Sequence, residues 1–142
     1  MLQRVLAAAL MAVLIAAPAE AAVRIKSSPG GQIGPYLMMF AMVKQSGENV
    51  IIDGPCMSAC TLVLSVVPRE RICVTGRAVL GFHAAWTPDR RGRALTSHEA
   101  TRLMLATYPA SIRAWIQRQG GLTRRAIFLQ GRELAALYRR CD

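Results

Sequence analysis

The segment that decides the fold is Gly54-Pro55-Cys56-Met57-Ser58-Ala59-Cys60-Thr61. It follows the apolar run 50–52 and precedes a second apolar run at 62–67. A strand, a Gly-Pro turn and a helix start in this order predict that Ser58 lies at a helix N-terminus, where unpaired N–H groups favour negative charge. An acyl-transfer enzyme places its nucleophilic serine there, because the oxyanion then forms beside ready donors. The alternative role for Ser58 is a helix cap, which is common for serine.

The N-terminus of the 142-residue chain has the pattern of a secretory signal peptide. Residues 1–4 include an arginine, residues 5–17 are apolar, and an A-x-A site ends at Ala21. The apolar run is shorter than the roughly 20 residues that span a membrane. We therefore predict a signal peptide over 1–21, a single domain over 22–142 and a periplasmic or secreted location. An uncleaved N-terminal anchor is the alternative.

Four cysteines in an exported protein predict two disulfides. Four cysteines allow three pairings, among which the sequence alone does not choose. We favour Cys56–Cys60, which would brace the loop of Ser58, together with Cys73–Cys141, which would tie the C-terminal tail to an inner strand. A zinc site is the alternative, but one C-x3-C pair without a second close pair is not typical of zinc fingers. We therefore predict no metal and no cofactor.

The chain is strongly basic, with 18 Lys and Arg against 8 Asp and Glu and a net charge of +10. Most of the arginines follow Pro88. No aromatic residues interleave with them as a stacking platform for nucleic acid would require, so we predict no nucleic-acid partner. In an exported protein we expect a solvated basic face, for which an anionic membrane surface is a candidate partner. The sequence makes no prediction of oligomeric state.

Short strands and helices alternate along the chain, which predicts an α/β fold with a small parallel sheet flanked by helices. Strands are predicted at 23–27, 49–53, 71–74 and 78–85. Helices are predicted at 35–43, 58–67 and 97–119 with a break at Pro109, followed by two short helical segments at 122–129 and 132–138.

Three smaller features of these elements also lead to predictions. The helix at 35–43 is apolar almost all round, which indicates burial. Its methionines, Met38, Met39 and Met42, are expected to fill the core. A charged loop is expected at 87–94, followed by a capping box in which Thr96 caps the next helix.

Three chemistry-bearing pieces lie at the ends of predicted strands: a glycine turn after the first, a serine after the second and a histidine at the end of a later one. They are the turn Gly30-Gly31, the serine Ser58 and the histidine His83. The carboxyl ends of parallel strands meet at one edge of a sheet, where such sheets build their sites. Ser58 would then attack a carbonyl with His83 as its base, while the N–H groups of Gly31 and Ala59 form an oxyanion hole. The alternative for His83 is a purely structural residue.

The motifs that carry a family resemblance are Ser28-Pro29-Gly30-Gly31, Met57-Ser58-Ala59 and Leu80-Gly81-Phe82-His83. They resemble the Clp protease proteolytic subunit and crotonase fold group, in particular its small exported members of unassigned role. The resemblance covers 23–85 well and continues loosely beyond. It implies a Clp/crotonase-like spiral, with Ser58 as nucleophile, His83 as general base, and Gly31 with Ala59 as oxyanion donors.

The sequence departs from this family at the acid of the catalytic triad. The family places an aspartate shortly before a segment resembling Ile127-Phe128-Leu129, whereas residues 122–126 hold no carboxylate here, and Glu133 and Asp142 do not match. Loss of the acid can cost about 10⁴ in rate. Two functions therefore stay open. One is an exported, peptidase-like serine hydrolase that uses a Ser-His dyad on a peptide or acyl substrate. The other is an inactive Clp-like fold that serves as a periplasmic binding module.

Overall fold

The structure is a computed structural model, and it describes residues 21–141. The predicted signal peptide rests on residues 1–20, which lie outside this range. The strands are β1 Ala22–Ile25, β2 Asn49–Ile52, β3 Pro55–Met57, β4 Ile72–Val74, β5 Val79–Phe82, β6 Trp86–Pro88, β7 Ala94–Thr96 and β8 Ile127–Gln130. The helices are α1 Ile33–Ser46, α2 Val63–Val66, α3 His98–Thr107, α4 Ala110–Arg118 and α5 Gly131–Leu137, with 3-10 helices at Ser58–Leu62 and Arg69–Arg71. Within the described range, no helix is both long and apolar enough to cross a membrane.

Two three-stranded sheets carry the fold. The first has the order β1-β2-β4 and is parallel throughout. The second has the order β3-β5-β8, with β3 and β5 parallel and β8 antiparallel to β5. Strands β6 and β7 form a separate hairpin. The predicted mixed α/β architecture with a small parallel sheet is confirmed at this level.

The helix predicted at 122–129 is wrong. Residues Ile127–Gln130 form β8, in which Leu129 is buried between more exposed neighbours. An Ile-Phe-Leu run suits a pleated surface as well as a helix, and pairing with β5 decides the outcome. The charged loop predicted at 87–94 is likewise the β6–β7 hairpin, because its two ends pair with each other. The helix predicted at 132–138 is confirmed as α5.

The predicted burial of helix α1 is also wrong. Met38 and Met42 are 71% and 68% exposed, and Met39 is exposed as well, whereas Phe40 and Val43 are buried. Helix α1 packs one side against α2 and the 3-10 helix at Ser58, so only the residues on that side reach the core. The methionines therefore form an apolar outer face.

The N-cap of α3 is Ser97 and not Thr96. Ser97 Oγ accepts a hydrogen bond from the Ala100 N–H at 3.3 Å. Thr96 is the last residue of β7 and pairs with Trp86 in the hairpin, so it lies one residue too early to cap the helix.

Both predicted disulfides are present, with the pairing Cys56–Cys60 and Cys73–Cys141. The second joins residues 68 positions apart and fixes the C-terminal tail beside β4, where Cys141 N–H also donates to the Val74 carbonyl at 3.0 Å. The first spans only four positions, so it restrains the unfolded chain much less. Its effect is local and falls on the turn that carries Ser58.

A buried carboxylate ties the first sheet to the turn before β5. Asp53 follows β2, is nearly inaccessible, and receives hydrogen bonds from Arg77, from Thr75 at 2.8 Å and from Arg24 at 2.8 Å. These hydrogen bonds, with that from Arg77 the strongest, hold the pKa of the Asp53 carboxyl well below its usual range.

The Asp53 cluster predicts a specific loss of stability in acid. A carboxyl whose pKa is lower in the folded than in the unfolded state stabilises the fold above its unfolded pKa of about 4 and loses that stabilisation as the pH falls further. We expect the free energy of unfolding, measured by urea titration from pH 7 to pH 3, to fall more steeply for the wild type than for Asp53→Asn. Glu133→Gln, on the exposed surface of α5, is the control and should follow the wild type. Parallel curves for wild type and Asp53→Asn would contradict the assignment.

Candidate active site

Ser58 has a strained backbone. Its φ is +55°, and among residues 21–141 it is the one non-glycine residue with a positive φ. For an L-residue this left-handed conformation costs about 1–2 kcal/mol. Ser58 stands between a strand and a helix start and is partly exposed. Hydrolases of another α/β fold expose their nucleophile by the same device.

Ser58 does not cap the helix that it begins. The residue before the 3-10 helix is Met57, and no side-chain hydrogen bond caps this helix. The Ser58 carbonyl accepts a hydrogen bond from Thr61 Oγ1 at 2.7 Å, whereas its Oγ takes part in no hydrogen bond with residues 21–141. The capping role is therefore excluded, and the hydroxyl is left for other chemistry.

The carbonyl of Ser58 is held by a short chain of hydroxyl groups. Thr61 Oγ1 uses its single proton for the Ser58 carbonyl, so Tyr108 must donate to Thr61 Oγ1 across their 2.6 Å contact. Burial raises the pKa of Tyr108 to about 12, which keeps this donor protonated. Tyr108 lies just after α3 and packs edge-on against Phe82, with ring centroids 5.4 Å apart. The turn at Ser58 is thus fixed from the core side.

The turn at 28–31 lies directly on the strand that leads to Ser58. Ser28 N–H donates to the Pro55 carbonyl at 2.8 Å, and Met57 N–H donates back to the Ser28 carbonyl at 2.9 Å. Gly30 has a φ of +82°, and a Cβ at this position would lie 2.6 Å from the Cβ of Ser58. Only glycine fits such an approach. The structure therefore brings the glycine turn against the serine, as the sequence predicts.

The two predicted oxyanion donors lie on these two adjoining segments. Ala59 is the second residue of the 3-10 helix, so its N–H belongs to the first turn, which the helix leaves unpaired. A Cβ at Gly30 would lie 3.0 Å from the Ala59 nitrogen, and Gly31 is the next residue along the turn. Ala59 follows Ser58 in the chain and Gly31 follows the Gly30 that packs against Ser58, so both predicted donors belong to segments in contact with the serine.

The predicted base is at the same edge of the sheet. Strands β3 and β5 are parallel neighbours, and Met57 lies opposite Gly81. Ser58 and Phe82 are therefore neighbours at the ends of these two strands, whose axes lie about 5 Å apart. His83 is the next residue after Phe82. The Phe82 side chain is buried, so strand alternation turns the His83 ring to the opposite, partly exposed face.

A backbone carbonyl fixes the tautomer of His83. Its Nδ1 lies 2.8 Å from the carbonyl oxygen of Ala84. A carbonyl can only accept, so Nδ1 carries the proton and the lone pair is on Nε2. Within residues 21–141, no carboxylate is hydrogen-bonded to this ring, and no hydrogen bond joins the ring to Ser58 Oγ. Catalytic pairs often tighten only when substrate binds.

A cleft of about 240 Å³ opens beside His83 on the side away from β3. It is lined by His83, Ala84, Trp86, Ala94 and Arg124. Arg124 brings a guanidinium to this lining, which includes no acidic residue. Nowhere in the described part of the chain do three His, Cys, Asp or Glu side chains come together as a metal site would require.

Trp86 and Arg124 also line this cleft, although the sequence did not predict either as a site residue. Trp86 reaches the cleft because β6 pairs with β7, and Arg124 does so because Ala84 N–H donates to the Thr123 carbonyl at 2.7 Å. The Arg124 contact joins parts of the chain that are far apart in sequence, whereas the Trp86 contact depends on a local hairpin. The local sequence holds no signal for either.

The strained backbone of Ser58 predicts opposite effects of glycine at two positions. At a left-handed residue glycine avoids the steric cost that alanine retains, so Ser58→Gly should be about 0.5–1 kcal/mol more stable than Ser58→Ala in urea unfolding. Ala41 lies within helix α1, where Ala41→Gly should instead lower stability by about 0.5–1 kcal/mol. The same sign at both positions would show that the Ser58 turn is not strained.

Comparison with protein-family models and with curated proteins gives no relative of this chain. No protein-family model matches the chain, and no curated protein matches it. The function must therefore be inferred from the residues of the site themselves.

Proposed function

We propose that this protein is an exported serine hydrolase, peptidase-like in its chemistry, with Ser58 as nucleophile and His83 as general base. The observation that carries the proposal is the uncapped, left-handed Ser58 at the sheet edge where His83 also emerges. Two disulfides are consistent with an oxidising compartment outside the cytosol. A function in acyl transfer explains why the chain retains a strained serine with a free hydroxyl.

The reaction follows from the roles of the individual atoms. Ser58 Oγ attacks the substrate carbonyl and passes its proton to His83 Nε2, while the N–H groups of Ala59 and Gly31 receive the negative charge on the carbonyl oxygen. The intermediate collapses, the bond to the leaving group breaks, and the leaving group takes the proton from Nε2. Water then attacks the acyl-serine while His83 Nε2 takes a proton from the water. The same nitrogen passes the proton to Ser58 Oγ, which releases the acid and restores Ser58.

The Ala84 carbonyl performs one of the two tasks of a triad acid. It holds the ring in the tautomer that leaves Nε2 free, with the 2.8 Å contact to Nδ1. Being neutral, it does not supply the negative charge that stabilises an imidazolium. We therefore expect slow turnover of ordinary amides and easier reaction with activated acyl compounds and phosphonylating reagents.

A fluorophosphonate probe tests the proposal on the disulfide-bonded mature protein. We expect one adduct by intact mass, located on Ser58 by peptide mapping and absent in Ser58→Ala. Ser65→Ala removes another partly exposed serine and is the matched control, which should label like the wild type. His83→Gln should slow labelling by about 10²-fold or more, because the base is lost. An unlabelled wild type, or a Ser58→Ala protein that labels equally, would reject the hydrolase.

A second candidate function is supported by the surface charge. Ion pairs among residues 21–141 involve only three arginines, Arg24, Arg77 and Arg93. Exposed arginines outside these pairs include Arg90, Arg91, Arg102, Arg118, Arg124, Arg125, Arg132, Arg139 and Arg140. Such a surface suits a binding module that docks on an anionic membrane.

The binding module predicts co-sedimentation with phosphatidylglycerol vesicles and none with phosphatidylcholine vesicles. Binding should weaken as salt rises from about 0.05 to 0.5 M, because screening shortens the reach of the charges. It should be the same in Ser58→Ala as in the wild type. Binding to neutral vesicles, or binding that ignores salt, would contradict this function.

A further inference from the structure

We infer that the cleft beside His83 binds a carboxylate of the substrate's leaving group, with Arg124 as the anchoring cation and Trp86 as an apolar wall. The ligand class is a short peptide with a free C-terminal carboxylate. The binding site stands on the cleft itself, while its assignment to the leaving group rests on the proposed hydrolase function.

The size and lining of the cleft suit a single terminal residue. Its volume of about 240 Å³ is below the roughly 300–1,000 Å³ typical of pockets for drug-sized ligands. One wall is Trp86, which is 53% exposed, whereas the second tryptophan, Trp115, is buried in the core at 2%. An indole with an open face provides apolar contact at low entropic cost. Ala84 and Ala94 leave the space beside it unfilled.

The charge of the cleft is positive and uncompensated within the described chain. Arg124 takes part in no ion pair with residues 21–141, and no acidic residue lines the cleft. Two more exposed arginines, Arg90 and Arg91, lie in the turn of the β6–β7 hairpin, about 13–16 Å from Trp86 along an extended strand. A guanidinium matches a carboxylate with two parallel hydrogen bonds, and the surrounding positive charge attracts anions toward it.

The elements that carry these side chains are held in place before any ligand binds. The Thr123 carbonyl accepts from Ala84 N–H at 2.7 Å, and Thr123 Oγ1 accepts from Arg125 N–H at 3.2 Å, which fixes the turn around Arg124. Ala85 N–H donates to Thr101 Oγ1 at 3.0 Å, and this anchors the hairpin that carries Trp86. A site whose backbone is already fixed loses less conformational entropy when its ligand binds than a site on a mobile loop.

The position of the cleft assigns it to the leaving group. In acyl transfer the base returns its proton to the departing atom, so the leaving group passes the imidazole. The cleft is lined by His83 and Ala84 and not by Ser58, so we assign it to the side of the imidazole on which the leaving group departs. A carboxylate bound there belongs to a leaving amino acid or short peptide. The C–N bond breaks, water supplies OH to the acyl part and H to the amine, and no other reactant is needed.

Fluorescence of Trp86 tests the site without any turnover. In the full mature Ser58→Ala protein, N-acetyl-dialanine with a free carboxylate should change the tryptophan emission in a saturable way, and Trp86→Phe should abolish the response. Arg124→Gln should weaken this binding about tenfold or more, because a charged hydrogen-bonded pair is lost. Arg125→Gln changes the neighbouring arginine and is the matched control, which should bind like the parent.

Two further ligands and one comparison make the outcome decisive. N-acetyl-dialanine amide should bind at least tenfold more weakly than the acid. Equal affinities for the amide and the acid would overturn the carboxylate site, and so would an Arg124→Gln protein that binds the acid as tightly as its parent. Inorganic phosphate that competes as well as the peptide would overturn the peptide assignment and leave a general anion site. Peptide binding in Ser58→Ala combined with no fluorophosphonate labelling of the wild type would overturn the leaving-group role. The proposed hydrolase would then fail while the site itself remains.

Discussion

The site depends on the left-handed backbone of Ser58, which two neighbours prevent from relaxing. Gly30 packs against the serine so closely that a side chain at position 30 would collide with it. The buried disulfide Cys56–Cys60 closes a ring around the same turn and joins the end of β3 to the 3-10 helix. A strained residue persists only where its surroundings over-determine it, and a glycine contact on one side with a covalent bond on the other meets that condition.

The remaining elements position His83 and the start of β5 relative to this turn. The parallel register of β3 and β5 sets His83 one residue beyond the strand position beside Ser58. The Asp53 cluster fixes the turn before β5, so the start of that strand does not drift against the first sheet. Each of these contacts joins parts of the chain that are far apart in sequence. The geometry at the sheet edge is therefore a property of the whole fold and not of the motif alone.

Features that depend on contacts between near neighbours in the chain could be predicted from the sequence. Features that depend on contacts between distant residues could not. The turn at Ser58 was predictable because glycine, proline and cysteine act within a few residues. The disulfide pairing was favoured among three possibilities but was not determined by the sequence. Strand β8 was not predictable, because Ile127–Gln130 becomes a strand only through pairing with β5. The exposure of Met38 was not predictable either, because an apolar helix gives no sign of which face finds a partner. Trp86 and Arg124 meet only in the folded chain.

The charge of the cleft beside His83 determines how an imidazolium would be stabilised there. A triad aspartate both orients the imidazole and neutralises the imidazolium, whereas the Ala84 carbonyl only orients it. Arg124 brings a positive charge to the same cleft, and no acidic residue lines it. A substrate carboxylate bound by Arg124 would bring negative charge to that place and would be present only when there is a bond to cleave. Within residues 21–141 no carboxylate is hydrogen-bonded to the His83 ring and Arg124 has no ion pair, so the negative charge beside the ring would come from the bound ligand.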